Sequence, residues 1–183
     1  REVSDADILI LEGTPSGNPI YPVYQALGYN FPRVLMLDVK DCIWVEVDNP
    51  FPKPFAVPTF WIPNVILSSD YLISCSTMRV INDRPEFSIM NLLSTLPSTK
   101  YGARSANGWD SLYSLGIDKV LADLYFTLPF DVGIIEARQK FIGSGTQLNQ
   151  GKIEEVDKII IGEPFDIDNE ACQMTGVKSE YLD

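Results

Sequence analysis

The stretch from Pro129 to Gly176, PFDVGIIEARQKFIGSGTQLNQGKIEEVDKIIIGEPFDIDNEACQMTG, decides how this chain is read. Val132 to Ala137 is short, mostly apolar and rich in β-branched residues, the pattern of a central strand covered on both faces in a parallel sheet. Gly143-Ser144-Gly145-Thr146 follows, and its paired glycines predict either positive backbone φ or a close approach to the main chain. Two readings stand for this loop: an anion cradled by exposed N–H groups, or a plain tight loop. The second is favoured, because Gln147 to Glu155 spells a turn and a polar segment rather than a helix start.

Val156 to Ile161 is a second strand, and Glu163-Pro164 then opens a helix with Pro where its missing N–H costs nothing. Asp166, Asp168 and Glu170 load the first turns with negative charge, which suits the positive end of the helix dipole. Ile167, Ala171 and Met174 recur at spacings of four and three and form the buried stripe, and Gly176 supplies the stop.

Upstream, Asp7 to Leu11 is another buried-strand run, broken by the loop Glu12-Gly13-Thr14-Pro15-Ser16-Gly17. Ligands in open α/β sheets bind at the carboxyl ends of strands, so Glu12 and Gly13 are candidates for one wall of a cleft, with a surface turn as the plainer reading. Ile20 to Leu27 reads as a short helix ended by Gly28. Tyr21 and Tyr24 on it are expected in core or edge packing, a stacking surface being the alternative. Val34 to Leu37 and Ile43 to Val47 are strands, the second alternating like one that meets water on one face. Asn49 to Pro63 holds five prolines among four large aromatics and reads as an extended loop laid over the core. Asn64 to Leu67 is a further apolar segment, and Tyr71 to Cys75 is a strand running out into Ser76-Thr77-Met78-Arg79. Glu86 to Leu96 has helical spacing and stops at Pro97, Ser98 to Gly108 is a polar loop, and Trp109 to Leu124 is a helix interrupted at Gly116.

Apolar strands alternating with helices predict an α/β fold: three layers, a mostly parallel sheet flanked by helices, doubly wound, with a mixed sheet carrying an antiparallel edge as the alternative. At 183 residues and 45% hydrophobic content the chain is long enough for a single α/β domain over residues 1–183. It begins at Arg1 rather than Met, which leaves an upstream part open. A net charge of −11 argues against nucleic acid or an anionic membrane as partner, since both need clustered Lys and Arg. No apolar run approaches the length of a membrane span, and a cytoplasmic location is expected. Cys42, Cys75 and Cys172 are odd in number and form no CxxC, so neither a disulfide framework nor an iron–sulfur centre held by this chain is expected. With no histidine present, a His-dependent triad and the common zinc sites are excluded. No metal ligands are assigned.

The order of these signals resembles the domain of unknown function 362 family. There, a strand ending in an acidic residue leads to a glycine loop, a strand, and a helix that opens with an acidic residue and proline, carries an aspartate a turn later and closes on Gly. This chain shows Ile134-Ile135-Glu136-Ala137, Gly143 to Gly145, Glu163-Pro164, Asp168 and Gly176. Ser69-Asp70-Tyr71-Leu72-Ile73-Ser74 is similar to the family's aspartate–aromatic–aliphatic strand, and Asn91-Leu92-Leu93 to its asparagine–leucine helix. Where the family carries two lysines and a histidine after that strand, Thr77 and Arg79 stand at the lysine places and no histidine follows. Met90 takes the place of the lysine before the helix asparagine. Members are often joined to iron–sulfur ferredoxin modules, so the resemblance implies a redox setting and an iron–sulfur protein partner.

The candidate ligand-binding residues are therefore Glu12, Gly13, Thr77, Arg79, Asn91, Glu136, Gly143, Ser144, Gly145 and Asp168. The strand ends at Glu12, Ser74 and Glu136 and the loop Gly143 to Thr146 are expected to converge on one cleft, flanked by Arg79 and by Lys100 or Arg104. Such a cleft suits a small polar or anionic ligand, phosphorylated molecules included. Two functions are carried forward: a ligand-binding accessory protein of redox metabolism without turnover, and an enzyme using Glu12, Asp70, Asp131, Glu136 or Asp168 to hold a divalent metal or to act as acid and base. The cofactor is unassigned, and a homodimer is the assembly left open.

Overall fold

The computed structural model describes residues 6–102, 108–144 and 150–182. Along them run β1 (Ile8–Glu12), α1 (Tyr21–Ala26), β2 (Val34–Asp38), β3 (Trp44–Asp48), β4 (Thr59–Pro63), α2 (Asn64–Leu67), β5 (Ile73–Ile81) and β6 (Arg84–Glu86), then α3 (Asp110–Ser114), α4 (Ile117–Thr127), β7 (Val132–Gly143), β8 (Gly151–Gly162) and α5 (Pro164–Thr175). Short 3-10 turns cover Val39–Asp41, Met90–Thr95, Ser98–Lys100 and Glu180–Leu182.

The expected three-layer, mostly parallel sheet does not form. The described strands divide among three sheets: β1 beside β2, β3 beside β4, and a four-stranded sheet in the order β6-β5-β7-β8. In the largest sheet only β5 and β7 run parallel, while β6 and β8 lie antiparallel to their neighbours. The two outer strands are hairpin partners, and hairpins need only a tight turn where a parallel neighbour needs a long crossover. Asn82 and Asp83, both at positive φ, make the β5–β6 turn. Gly143 and Gly151 face each other where β7 turns back into β8.

Among the described residues only one face of this sheet is covered. Ile135, Ala137 and Ile160 join Met78 and Val80 beneath Ile167, Ala171 and Cys172 of α5. Gly133 lets the helix come this close: a Cβ there would lie 2.5 Å from Ile167 Cδ1 and 2.9 Å from Ser88 Oγ. On the opposite face the register sets Cys75, Ile134 and Ile161 in one row and Thr77, Glu136 and Ile159 in the next. That face is open, with Ile159 60% and Ile161 64% exposed. The Ile159–Ile161 run therefore belongs to a half-buried edge strand, in which Ile160 alone turns inward.

Helix α5 follows from its local chemistry. Glu163 is its N-cap, accepting a hydrogen bond from the Asp166 N–H at 3.0 Å, and Pro164 occupies the first turn. Gly176 closes it in the left-handed conformation at φ 74°, its N–H donating to the Cys172 carbonyl. The other oxygen of Glu163 accepts the Tyr125 hydroxyl at 2.8 Å, tying α5 to α4. Glu163→Ala is expected to lower stability by about 0.5–2 kcal/mol, the usual loss for a cap, read as a shift of the urea midpoint. An unchanged midpoint would remove the capping role.

A second core lies apart from the sheet, built from Phe60 and Ile62 of β4, Leu92, Leu93 and Leu96 near the 3-10 turn, and Val120, Leu121 and Leu124 of α4. Leu182 packs against both cores. Two local readings are corrected here, and one segment left without a type is resolved. The end of the proline-rich segment is strand β4, because Pro58 precedes it and Pro63 is its last residue, which leaves the N–H groups of the residues before Pro63 free to pair with β3. Asn64–Leu67 is one helical turn. Met90–Thr95 is 3-10 rather than α, and Glu86 already belongs to β6. The break at Gly116 is present, at φ 90° between α3 and α4. No described helix is long and apolar enough to cross a membrane.

Candidate functional site

Glu12 ends β1 and faces a polar junction. Its carboxylate accepts from the Gly13 N–H at 3.3 Å and from the Ser94 side chain, on the 3-10 turn. Ser94 Oγ also lies 2.9 Å from the Asn91 carbonyl, its single proton serving one of these two acceptors at a time, and the Asn91 amide donates to Ser74 Oγ at 3.1 Å and to the Cys75 carbonyl at 3.2 Å. Glu12, Gly13, Asn91 and Ser74 thus meet along one chain of hydrogen bonds, with the 3-10 turn as the bridge between two sheets. Gly13 is required by close packing, since a Cβ would come 2.8 Å from the Ser94 carbonyl oxygen and 3.2 Å from Val39 Cβ.

Burial raises the Glu12 pKa above 4.5, against the lowering effect of these hydrogen bonds. A carboxyl raised in the folded state binds its proton more tightly folded than unfolded. Its contribution to stability is then present below the unfolded value and is lost as pH rises through the folded one. Glu12→Gln is expected to flatten the loss of thermal stability between pH 4 and 7, as followed by circular dichroism melts. Parallel melting curves for both proteins across that range would contradict the assignment. The hollow beside this junction, between Gly13, Asp38 and Ser98, has a volume of about 10 Å³, enough for about one water. It holds no ligand-sized space.

Thr77, Arg79 and Glu136 come together elsewhere, on the open face of the four-stranded sheet, Thr77 directly across from Glu136. Their charges are paired: Arg79 bridges to Glu86 on β6, and Glu136 Oε1 accepts from Arg138 Nε at 2.6 Å. The bond from Arg138 holds the Glu136 carboxyl below its ordinary range. Glu12 ends a strand of a different sheet from the one that carries Glu136.

Gly143 and Ser144 sit at the far end of β7, where the chain returns as an antiparallel strand and not as a helix. A Cβ on Gly143 would meet Ile81 Cδ1 and Phe141 Cε1 at 2.9 Å, so packing against those two side chains accounts for this glycine. Gly145, Thr146 and Arg104 lie outside the described residues. Lys100 stacks its ammonium 4.0 Å from the centre of the Trp61 ring.

Asp168 is wholly buried and accepts from Ser88 N–H, Ser88 Oγ, Ile89 N–H and the Tyr181 hydroxyl at 2.6–3.1 Å. Burial raises its pKa and these donors oppose the shift. Asp131 Oδ2 accepts the Leu72 N–H at 2.7 Å. Among the described residues no three His, Cys, Asp or Glu side chains gather to hold a metal ion. Cys42, Cys75 and Cys172 are free thiols, and burial pushes each of them up, Cys172 to about 11. None is poised as a thiolate nucleophile.

A larger space opens beside α1. Tyr21, Tyr24, Gln25, Tyr29, Asn30 and Met36 line a cleft of about 410 Å³, within the size range of small-molecule sites. Tyr24 is buried, its hydroxyl donating to the Leu37 carbonyl at 3.1 Å, and it anchors the other rings. Tyr29 stacks on it at 5.7 Å and 16°, while Tyr21 stands at 68° to it with centroids 6.3 Å apart. The sequence marks Tyr21 and Tyr24, one helical turn apart, but the cleft also needs Tyr29 and Met36, which only folding brings beside them.

No family pattern, no curated protein and no solved structure matches this chain.

Proposed function

We propose that this chain is a ligand-binding accessory module without turnover of its own, and that its ligand enters the tyrosine cleft beside α1. The observation that carries this reading is the cleft itself: about 410 Å³ walled by three tyrosines, with the amides of Gln25 and Asn30 to orient a guest. Acid–base or metal-assisted turnover lacks comparable support. It needs two free carboxylates facing one space, whereas Asp131, Glu136 and Asp168 each spend oxygens on neighbours of their own. The likeness of Ser69 to Ser74 and Asn91 to Leu93 to the domain of unknown function 362 family supports a redox setting, with an iron–sulfur protein as partner.

Calorimetric titration with a panel of small organic ions and neutral polar molecules tests the reading, followed by chromatographic recovery of whatever binds. One saturable site is expected, weakened by Tyr29→Ala, with the ligand recovered unchanged. Chemical conversion of a bound compound, or binding that ignores substitutions in the cleft, would refute it.

A further inference from the structure

We infer that the tyrosine cleft takes an organic cation with an apolar body, of the quaternary or tertiary ammonium class. This rests on the cleft being the binding site and adds the chemistry of its guest. None of its described lining residues carries positive charge, and two exposed rings, Tyr21 and Tyr29, flank the cleft in different orientations over the buried Tyr24 that anchors them. Electron-rich ring faces attract a cation whose charge is spread over methyl groups, and such a cation loses little hydration on entering. Met36 adds a polarizable, apolar wall.

The surroundings select the same sign. Burial raises the Tyr21 phenol, a hydrogen bond from the Asp38 backbone opposes the shift, and the Asp41 and Asp38 carboxylates add to it. Glu12 and Asp38 do the same to Tyr24, again after burial. Acidic groups thus lie behind these rings, and the net charge of −11 favours cations over anions as guests. A phosphate or carboxylate ligand would meet that charge with no Lys or Arg in the lining to offset it. An ammonium ion would be drawn by both the charge and the rings. The amides of Gln25 and Asn30 can accept or donate to a polar tail.

The probes are choline and its neutral isostere 3,3-dimethylbutan-1-ol, titrated by calorimetry and by the ring proton resonances of the tyrosines. Choline is expected to bind about tenfold more tightly than the alcohol, the factor a partly desolvated cation–π contact supplies. Tyr29→Ala should remove that preference and Tyr29→Phe should keep it, with circular dichroism melts showing that both fold. If Tyr29→Ala does not fold, Tyr21→Ala is read in its place. Phosphatidylcholine vesicles form a second arm: retention on them without binding of free choline keeps the ammonium chemistry and assigns it to a lipid headgroup. Equal affinity for choline and the alcohol, both lost in Tyr29→Ala, overturns the charge assignment while the binding-module reading stands. Absence of saturable binding by choline, the alcohol and the vesicles alike overturns this inference, and the binding-module reading then falls only if the wider panel also fails.

Discussion

Asp123→Ala should lower the unfolding free energy by roughly 2–4 kcal/mol, because one carboxylate organises the whole proline-rich segment. Asp123 sits fully buried on α4. Its two oxygens accept from the Asn49 amide at 2.8 Å and from the N–H groups of Phe55, Ala56 and Val57 at 3.0, 2.7 and 2.8 Å. Asn49 in turn donates to the Val57 carbonyl and accepts the Phe51 N–H, so the loop closes on itself around the same group. Alanine would leave four donors to find water, and Val57 is buried where water is scarce. The Phe55 N–H lies nearer the surface and can be rescued by solvent, which keeps the estimate below a simple sum of four. Urea unfolding measures the loss, and limited proteolysis between Asn49 and Pro58 should accelerate with it. Asp123→Asn, which keeps one acceptor oxygen, should fall between. A midpoint unmoved in Asp123→Ala would mean that the prolines hold the segment by themselves.

The segment also shows where sequence reasoning stops. Five prolines in Asn49 to Pro63 correctly exclude helix, but they do not exclude a five-residue edge strand that starts after Pro58 and ends on Pro63. Cap chemistry is local, so α5 is legible from Glu163, Pro164 and Gly176, as is the break at Gly116. Sheet assembly is not local. The run Ile159-Ile160-Ile161 carries the hydropathy of a strand buried on both faces, yet it is an edge strand with one bare face. Nothing in its own residues tells which neighbours cover it. The carboxylates expected at strand ends fail to converge for the same reason: Glu12 does end β1, but Glu136 lies in the interior of β7, which runs on to Gly143 in a separate sheet. Within one sheet, by contrast, Thr77 and Glu136 do meet, because register fixes neighbours once a parallel pair is formed.

Asp168→Ala is expected to cost about 3–5 kcal/mol, the largest effect of any single side chain named here. Three of its four donors are buried, the N–H and hydroxyl of Ser88 and the N–H of Ile89, and the fourth is the phenol of the half-buried Tyr181. The aspartate joins three pieces of chain that otherwise share little, namely α5, the segment between β6 and the 3-10 turn, and the last turn at Glu180–Leu182. Ile89 belongs to one core and Leu182 packs on both, so the carboxylate lies where the two cores meet. Burial drives the Tyr181 phenol well up, with the Asp168 charge and hydrogen bond adding to the shift. Removing Asp168 should therefore let Tyr181 ionise at lower pH, visible as an earlier phenolate absorbance step that Tyr181→Phe abolishes. A double-mutant cycle between Asp168→Ala and Tyr181→Phe separates this bond from the rest: a coupling of about 1 kcal/mol or more is expected, since the phenol of wild-type protein loses its acceptor in one variant and the carboxylate loses its donor in the other. Simple additivity of the two losses would show that Tyr181 contributes by packing alone, and a small effect of Asp168→Ala would mean that water replaces the carboxylate at the junction.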